Sequence, residues 1–171
     1  PHFAVSIGLE RDGTLLVGAV YDPMRDELFD AARGQGARLN DNPIRVADRT
    51  ELITSLLATG FPYDISARDE SNRLWHHFND RSQGVRRTGA AALDMAWVAA
   101  GRLDGYWERP VMPWDKTAAC LILMEAGATV TGLTGEPFDV MDLGVTTANP
   151  ALHVVMVKEV TSVLGAPAGT A

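Results

Sequence analysis

The sequence predicts a protein of α/β or α+β class with sheets covered by helices, and three observations carry that prediction. Residues 4–32 read as consecutive antiparallel strands broken by turn residues. From residue 55 onward, strand and helix patterns alternate. The composition, 46% hydrophobic and 22% charged over 171 residues, is that of a globular domain rather than a disordered or disulfide-stapled chain. A single domain over residues 1–171 is expected, without repeats or linkers.

The elements follow in order. Residues 4–10 alternate in part, Arg11-Asp12-Gly13 marks a hairpin turn, and residues 14–21 are β-rich. Asp22-Pro23 breaks that strand, residues 27–32 resume it, and Arg33-Gly34-Gln35-Gly36 turns the chain again. These glycines read as a tight hairpin rather than a phosphate loop, because no helix follows and no Lys-Ser/Thr pair is present. After the Asn40-Asp41-Asn42-Pro43 turn, residues 55–59 form a buried strand ending at Gly60. Residues 1–60 are therefore assigned to the first antiparallel sheet, and 61–164 to a second α/β half.

Residues 66–81 place Leu74, Trp75 and Phe78 at helical spacing among charges, an amphipathic helix. His76 and His77 lie on it about 100° apart, so they cannot share a metal as an i, i+4 pair would. Residues 90–100 form an alanine-rich helix, apolar nearly all round and hence buried between layers. A strand at 103–108 leads to a helix at 113–126, with Pro113 near its start and Gly127 just past its end. Short strands at 129–131 and 144–148, a helix at 151–164 and a mobile tail at 165–171 complete the chain.

The formal net charge of −7 disfavours nucleic acid as a ligand, though not a phosphorylated small molecule held through metal ions. The one cysteine, Cys120, fits a reducing compartment. No apolar run approaches the ~20 residues that span a bilayer, so a cytoplasmic enzyme or binding domain without membrane contact is expected. The first residue is Pro1, the first methionine is Met24, and strand pattern begins at once with Phe3-Ala4-Val5-Ser6-Ile7. The chain is expected to be joined in mid-fold.

Three places hold residues suited to chemistry. Asp115, at the head of the 113–126 helix, is either a helix cap or a ligand for a hard divalent cation, which prefers carboxylate oxygen. Taken alone, the cap is the simpler account. Glu108 ends a strand five residues before Pro113, so both acids can face one cleft. Gly89-Ala90-Ala91 opens the buried helix, and its small side chains either leave the first-turn amides open to an oxygen ligand or simply permit close packing.

These residues also carry a resemblance. Trp114-Asp115-Lys116-Thr117-Ala118-Ala119 followed by Glu125-Ala126-Gly127-Ala128 is similar to the C-terminal signature of the inositol monophosphatase family. Arg87-Thr88-Gly89-Ala90-Ala91-Ala92-Leu93-Asp94-Met95-Ala96, continuing to Asp104-Gly105-Tyr106-Trp107-Glu108, resembles that family's middle block. The opening stretch from His2 to Pro23 resembles it too. Three linked blocks in order make a specific signal.

The resemblance implies a layered α/β/α/β/α sandwich of the sugar-phosphatase type and a Mg²⁺-dependent phosphomonoesterase acting on a small phosphorylated substrate, inositol monophosphate first. Phosphatases of histidinol phosphate, sugar bisphosphates or 3′-phosphonucleotides, or a non-catalytic interaction protein of the same fold, are the alternatives. It implies Asp115 as a metal ligand, Glu108 as a contact to substrate hydroxyls, and Gly89, Ala90 and Ala91 as the turn that meets the ring. A homodimer is implied for the full-length protein. Ala90 departs from the usual Ser or Thr, removing a hydroxyl donor. Lys116 is expected to face solvent. The family's Asp-Pro-(Ile/Leu)-Asp-Gly-Thr block, which supplies most metal ligands and residues acting on water, does not occur in these 171 residues. The chain therefore resembles the C-terminal two-thirds of a family member, with its N-terminal part missing, no catalytic residue of its own and no expected activity alone.

Overall fold

A computed structural model describes residues 1–165. Five antiparallel strands, β1 (Val5–Arg11), β2 (Thr14–Asp22), β3 (Glu27–Ala32), β4 (Ala37–Leu39) and β5 (Asn42–Ile44), form the first sheet as a simple meander. Two tight turns set its register. Asp12-Gly13 and Asn40-Asp41 both hold positive φ at their two central positions, the geometry of a two-residue hairpin matched to strand twist. The expected turn at 40–43 thus narrows to Asn40-Asp41, and Pro43 falls inside β5. That strand is the sheet edge, where a missing N–H is tolerated.

The second sheet has the order β7-β6-β8-β10-β9, from β6 (Leu56–Thr59), β7 (Gly84–Arg86), β8 (Gly105–Glu108), β9 (Thr129–Thr131) and β10 (Val145–Ala148). β6 runs parallel to β7 and β8, while β10 is antiparallel to β8 and β9. This corrects the assignment of residues 1–60 to the first sheet, since the last strand of that stretch pairs only in the second. Its run Leu56-Leu57-Ala58-Thr59 is apolar without alternation, as strands covered on both faces are, and sheet membership is set by long-range pairing. β7 is three residues long, too short for periodicity to announce it.

Helices α2 (Ala91–Ala99) and α3 (Pro113–Glu125) lie between the sheets, α3 against β1–β4 and α2 against β6 and β8. Helices α1 (Asp69–Asn79) and α4 (Pro150–Leu164) pack together on the far side of the second sheet. The main core sits in the α2/α3 layer, with Phe29, Leu93, Met95, Tyr106 and Ile122 fully buried. Leu57, Phe78, Trp107, Leu152 and Met156 form the second core behind β8. The outer face of the first sheet carries Val5, Ile7, Leu9 and Val17, each about half or more exposed.

Two side chains depart from simple expectation. Lys116 is fully buried rather than facing solvent. Its Nζ donates to the Asp142 carbonyl and lies 5.8 Å from the centre of the Phe138 ring, so the long stem reaches out from α3 to hold the loop before β10. Burial lowers its pKa. The hairpin glycines Gly34 and Gly36 do bind an anion through their amides, but it is the chain's own Glu125, at 2.7 and 2.8 Å. Those amides lower the Glu125 pKa and fasten the β3–β4 turn to the end of α3. The mobile tail expected from residue 165 falls, beyond Gly165, outside the described residues.

Candidate active site

The alternation of β8 builds the site. Successive strand residues point to opposite faces, so Gly105 and Trp107 face the second core while Tyr106 and Glu108 face the α2/α3 layer. Immediately beyond Glu108 the chain turns and enters α3. Glu108 and Asp115 consequently line one cavity of about 390 Å³, together with Gly89, Ala90, Ala91 and Asp94 from the start of α2 and the 59–64 stretch after β6. Asp115, Glu108, Gly89, Ala90 and Ala91, the site residues expected from the sequence, all line it. His76 and His77 do not: His77 pairs with Glu159 of α4, and His76 lies edge-on to Trp75.

Asp115 is not the N-cap residue of α3. Met112 occupies the cap position of α3, no side-chain cap bond is formed there, and Asp115 is the third helical residue. Its carboxylate is half-buried at the positive end of the helix dipole, and burial raises its pKa. At α2, Gly89 holds φ of +100° with open space where a side chain would project. Ala90 is the cap residue and offers no side-chain bond to the first turn.

Sequence reasoning missed the network behind these groups. Tyr106, fully buried, donates its hydroxyl to Glu108 Oε2. Asp94, almost fully buried in the first turn of α2, accepts a 2.6 Å hydrogen bond from the Thr88 hydroxyl. Burial pushes the Glu108 carboxyl up to about 7, against the Tyr106 hydrogen bond and with the Asp115 charge adding to the rise. Burial likewise pushes Asp94 up to about 7, with Glu108 adding and Thr88 opposing. The signal available in the sequence was the i, i+2 spacing of Tyr106 and Glu108 on one strand.

The donor set around the cavity is carboxylate oxygen, and burial chiefly raises these acids, with the Asp115 charge adding at Glu108 and the Glu108 charge adding at Asp94. Arg87, exposed at the rim, is the cation that acts on Glu108. Uncompensated carboxylate oxygen suits a hard divalent cation. Among the described residues, no three His, Cys, Asp or Glu side chains converge as a complete metal cage.

The raised acids predict a pH dependence. A carboxyl whose folded pKa lies above its unfolded value binds its proton more tightly in the native state. Its stabilising contribution is full below the unfolded pKa and is lost as pH rises through the folded one. Without added divalent metal, stability contributed by Asp94 and Glu108 should therefore be lost from about pH 4 up to about pH 7. Asp94→Asn should flatten that slope in thermal unfolding between pH 5.5 and 8. His2 and His153, lowered mainly by burial, act in the opposite sense but equally in both proteins. An unchanged slope in the variant would mean that Asp94 titrates normally.

Comparison with known proteins agrees along the chain. The model of the inositol monophosphatase family matches residues 1–164. An inositol-1-monophosphatase of Synechocystis is 44% identical over 154 residues, covering 90% of this chain and 54% of that protein. The Nus factor SuhB of Escherichia coli is 44% identical over 158 residues, 91% of this chain and 59% of the other. In structure, the inositol monophosphatase from Anabaena superposes with a TM-score of 0.90 at 44% identity, covering 94% of this chain and 64% of that one. The chain thus spans somewhat more than half the length of these relatives.

Proposed function

Because the chain belongs to the inositol monophosphatase family, we propose that it forms the substrate-facing part of a Mg²⁺-dependent phosphomonoesterase acting on inositol monophosphate. The observation that carries this reading is the meeting of Asp115, Glu108 and the small-residue start of α2 at one acidic cavity.

Asp115 would hold the metal through its carboxylate, fixed in the first turn of α3. A divalent cation held there would supply a water of lowered pKa and countercharge for phosphate oxygens. The chain's own residues do the rest of the binding. Glu108 accepts from ring hydroxyls, with Tyr106 occupying one of its oxygens. Gly89, Ala90 and Ala91 bring the first-turn amides of α2 close to substrate, because no side chain at Gly89 stands between them. Arg87 at the rim offers countercharge to an anion entering an acidic cavity. A cytoplasmic setting and a homodimeric whole protein belong to the same reading: the single buried Cys120 supports the first, and the family resemblance supports the second.

The test uses a chain extended upstream with the family's Asp-Pro-(Ile/Leu)-Asp-Gly-Thr block. A charge-assisted hydrogen bond to a hydroxyl contributes ~1.5–3 kcal/mol, roughly ten- to a hundredfold in kcat/KM. Glu108→Gln should lower kcat/KM on inositol monophosphate by about that factor. Hydrolysis of p-nitrophenyl phosphate, which has no ring hydroxyl, should change much less. Equal losses on both substrates would remove Glu108 from substrate recognition. The name Nus factor borne by one relative supports a second reading, a non-catalytic interaction protein. Absence of phosphate release from inositol monophosphate by the extended protein would favour it.

A further inference from the structure

Glu108 is held from two sides by residues with no assigned part in the reaction. Tyr106 stands two residues earlier on the same face of β8, its ring fully buried in the main core and its hydroxyl donating to Glu108 Oε2. Opposite, the carboxyl lies directly on the Cα of Gly60, at the end of β6, where any Cβ would overlap both carboxyl oxygens. Glu108 itself is only 9% exposed. An ionised carboxylate offers about four lone-pair sites. Tyr106 is the hydrogen-bond donor that reaches it among the described residues, and no cation pairs with it there. Its remaining acceptor capacity faces the cavity that Glu108 lines.

We infer that Tyr106 is a positioning residue for substrate choice: its hydroxyl fixes the Glu108 carboxylate against Gly60 so that the free oxygen is presented to a hydroxyl of a polyol phosphate. The inference rests on the reading of Glu108 as a hydroxyl acceptor. Without the tyrosine hydroxyl, the carboxylate retains its charge and its place on the strand but loses the bond that selects one rotamer. Recognition of ring hydroxyls weakens while phosphate cleavage continues.

The experiment is a double-mutant cycle in the upstream-extended protein with Tyr106→Phe, Glu108→Gln and the pair, each assayed on inositol monophosphate and on p-nitrophenyl phosphate. Phenylalanine keeps the buried ring and removes only the hydroxyl. Tyr106→Phe should raise KM for inositol monophosphate about five- to tenfold with little change in kcat, and leave p-nitrophenyl phosphate within about twofold. In the Glu108→Gln background the same change should have almost no further effect. A second readout needs no turnover: in metal-free protein, carboxyl-carbon NMR should show the Glu108 signal moved by Tyr106→Phe. An unmoved Glu108 signal overturns the inference whatever the kinetics. So do equal losses on both substrates or effects that multiply across the cycle. If Glu108→Gln alone fails to discriminate the substrates, the hydroxyl-acceptor reading falls by itself, and the NMR comparison still decides whether Tyr106 holds Glu108.

Discussion

Asp115→Asn, introduced into the upstream-extended chain, should reduce turnover of inositol monophosphate about a thousandfold at saturating Mg²⁺ while leaving stability nearly unchanged. The size follows from the several kcal/mol that a correctly held metal contributes to transition-state charge, with each ~1.4 kcal/mol equal to tenfold in rate. The small change in stability follows from the structure. Asp115 is the third residue of α3, with Met112 at the cap and no side-chain cap bond there. Its burial raises its pKa against a backbone hydrogen bond at Met112, and asparagine keeps an acceptor oxygen for that bond while removing the buried charge. Paired steady-state kinetics and thermal unfolding check both halves. Activity within a few-fold of the parent would show that the carboxylate holds no metal that matters.

Gly18→Ala should cost about 3 kcal/mol in urea unfolding, near the upper end for overpacking in a close-packed interior. Gly8 on β1 and Gly18 on β2 are direct cross-strand partners, and both face α3. A Cβ at Gly18 would lie 2.5 Å from the Ala118 carbonyl oxygen and 2.9 Å from its Cα. Both are backbone atoms, which cannot turn aside as a side-chain tip can. The glycine pair lets α3 lie directly on the sheet, and α3 carries Asp115. Gly18→Ala should therefore also lower activity, by tilting the helix start away from the cavity. A loss below about 1 kcal/mol would show that α3 shifts freely on the sheet.

The long, strongly patterned elements were legible in the chain. Elements α2, α3, α4 and β10 differ from expectation by no more than one residue at an end, because burial on one or all faces writes periodicity over many positions, and the short strand β9 also stands where it was expected. Local turn chemistry was equally readable, since Asp12-Gly13 needs no distant partner to adopt positive φ. The three-residue strands β4, β5 and β7 were not read. Nor was the membership of β6 in the second sheet, because a short apolar run satisfies either sheet until its parallel neighbours β7 and β8 select one.

The same division applies to the site. Asp115, Glu108 and Gly89-Ala90-Ala91 stood out in sequence, since charge near helix starts and small residues before them are local facts. That they share one cavity depends on the turn from β8 into α3 and on α2 crossing the sheet beside it. Lys116 looked like a surface lysine because charge is normally solvated, whereas its carbonyl partner at Asp142 lies 26 residues away and only packing brings them together. Asp94 and Tyr106 read as ordinary members of a helix and a strand. Their importance comes from desolvation by surrounding layers, a property of the assembled fold that no stretch of sequence contains.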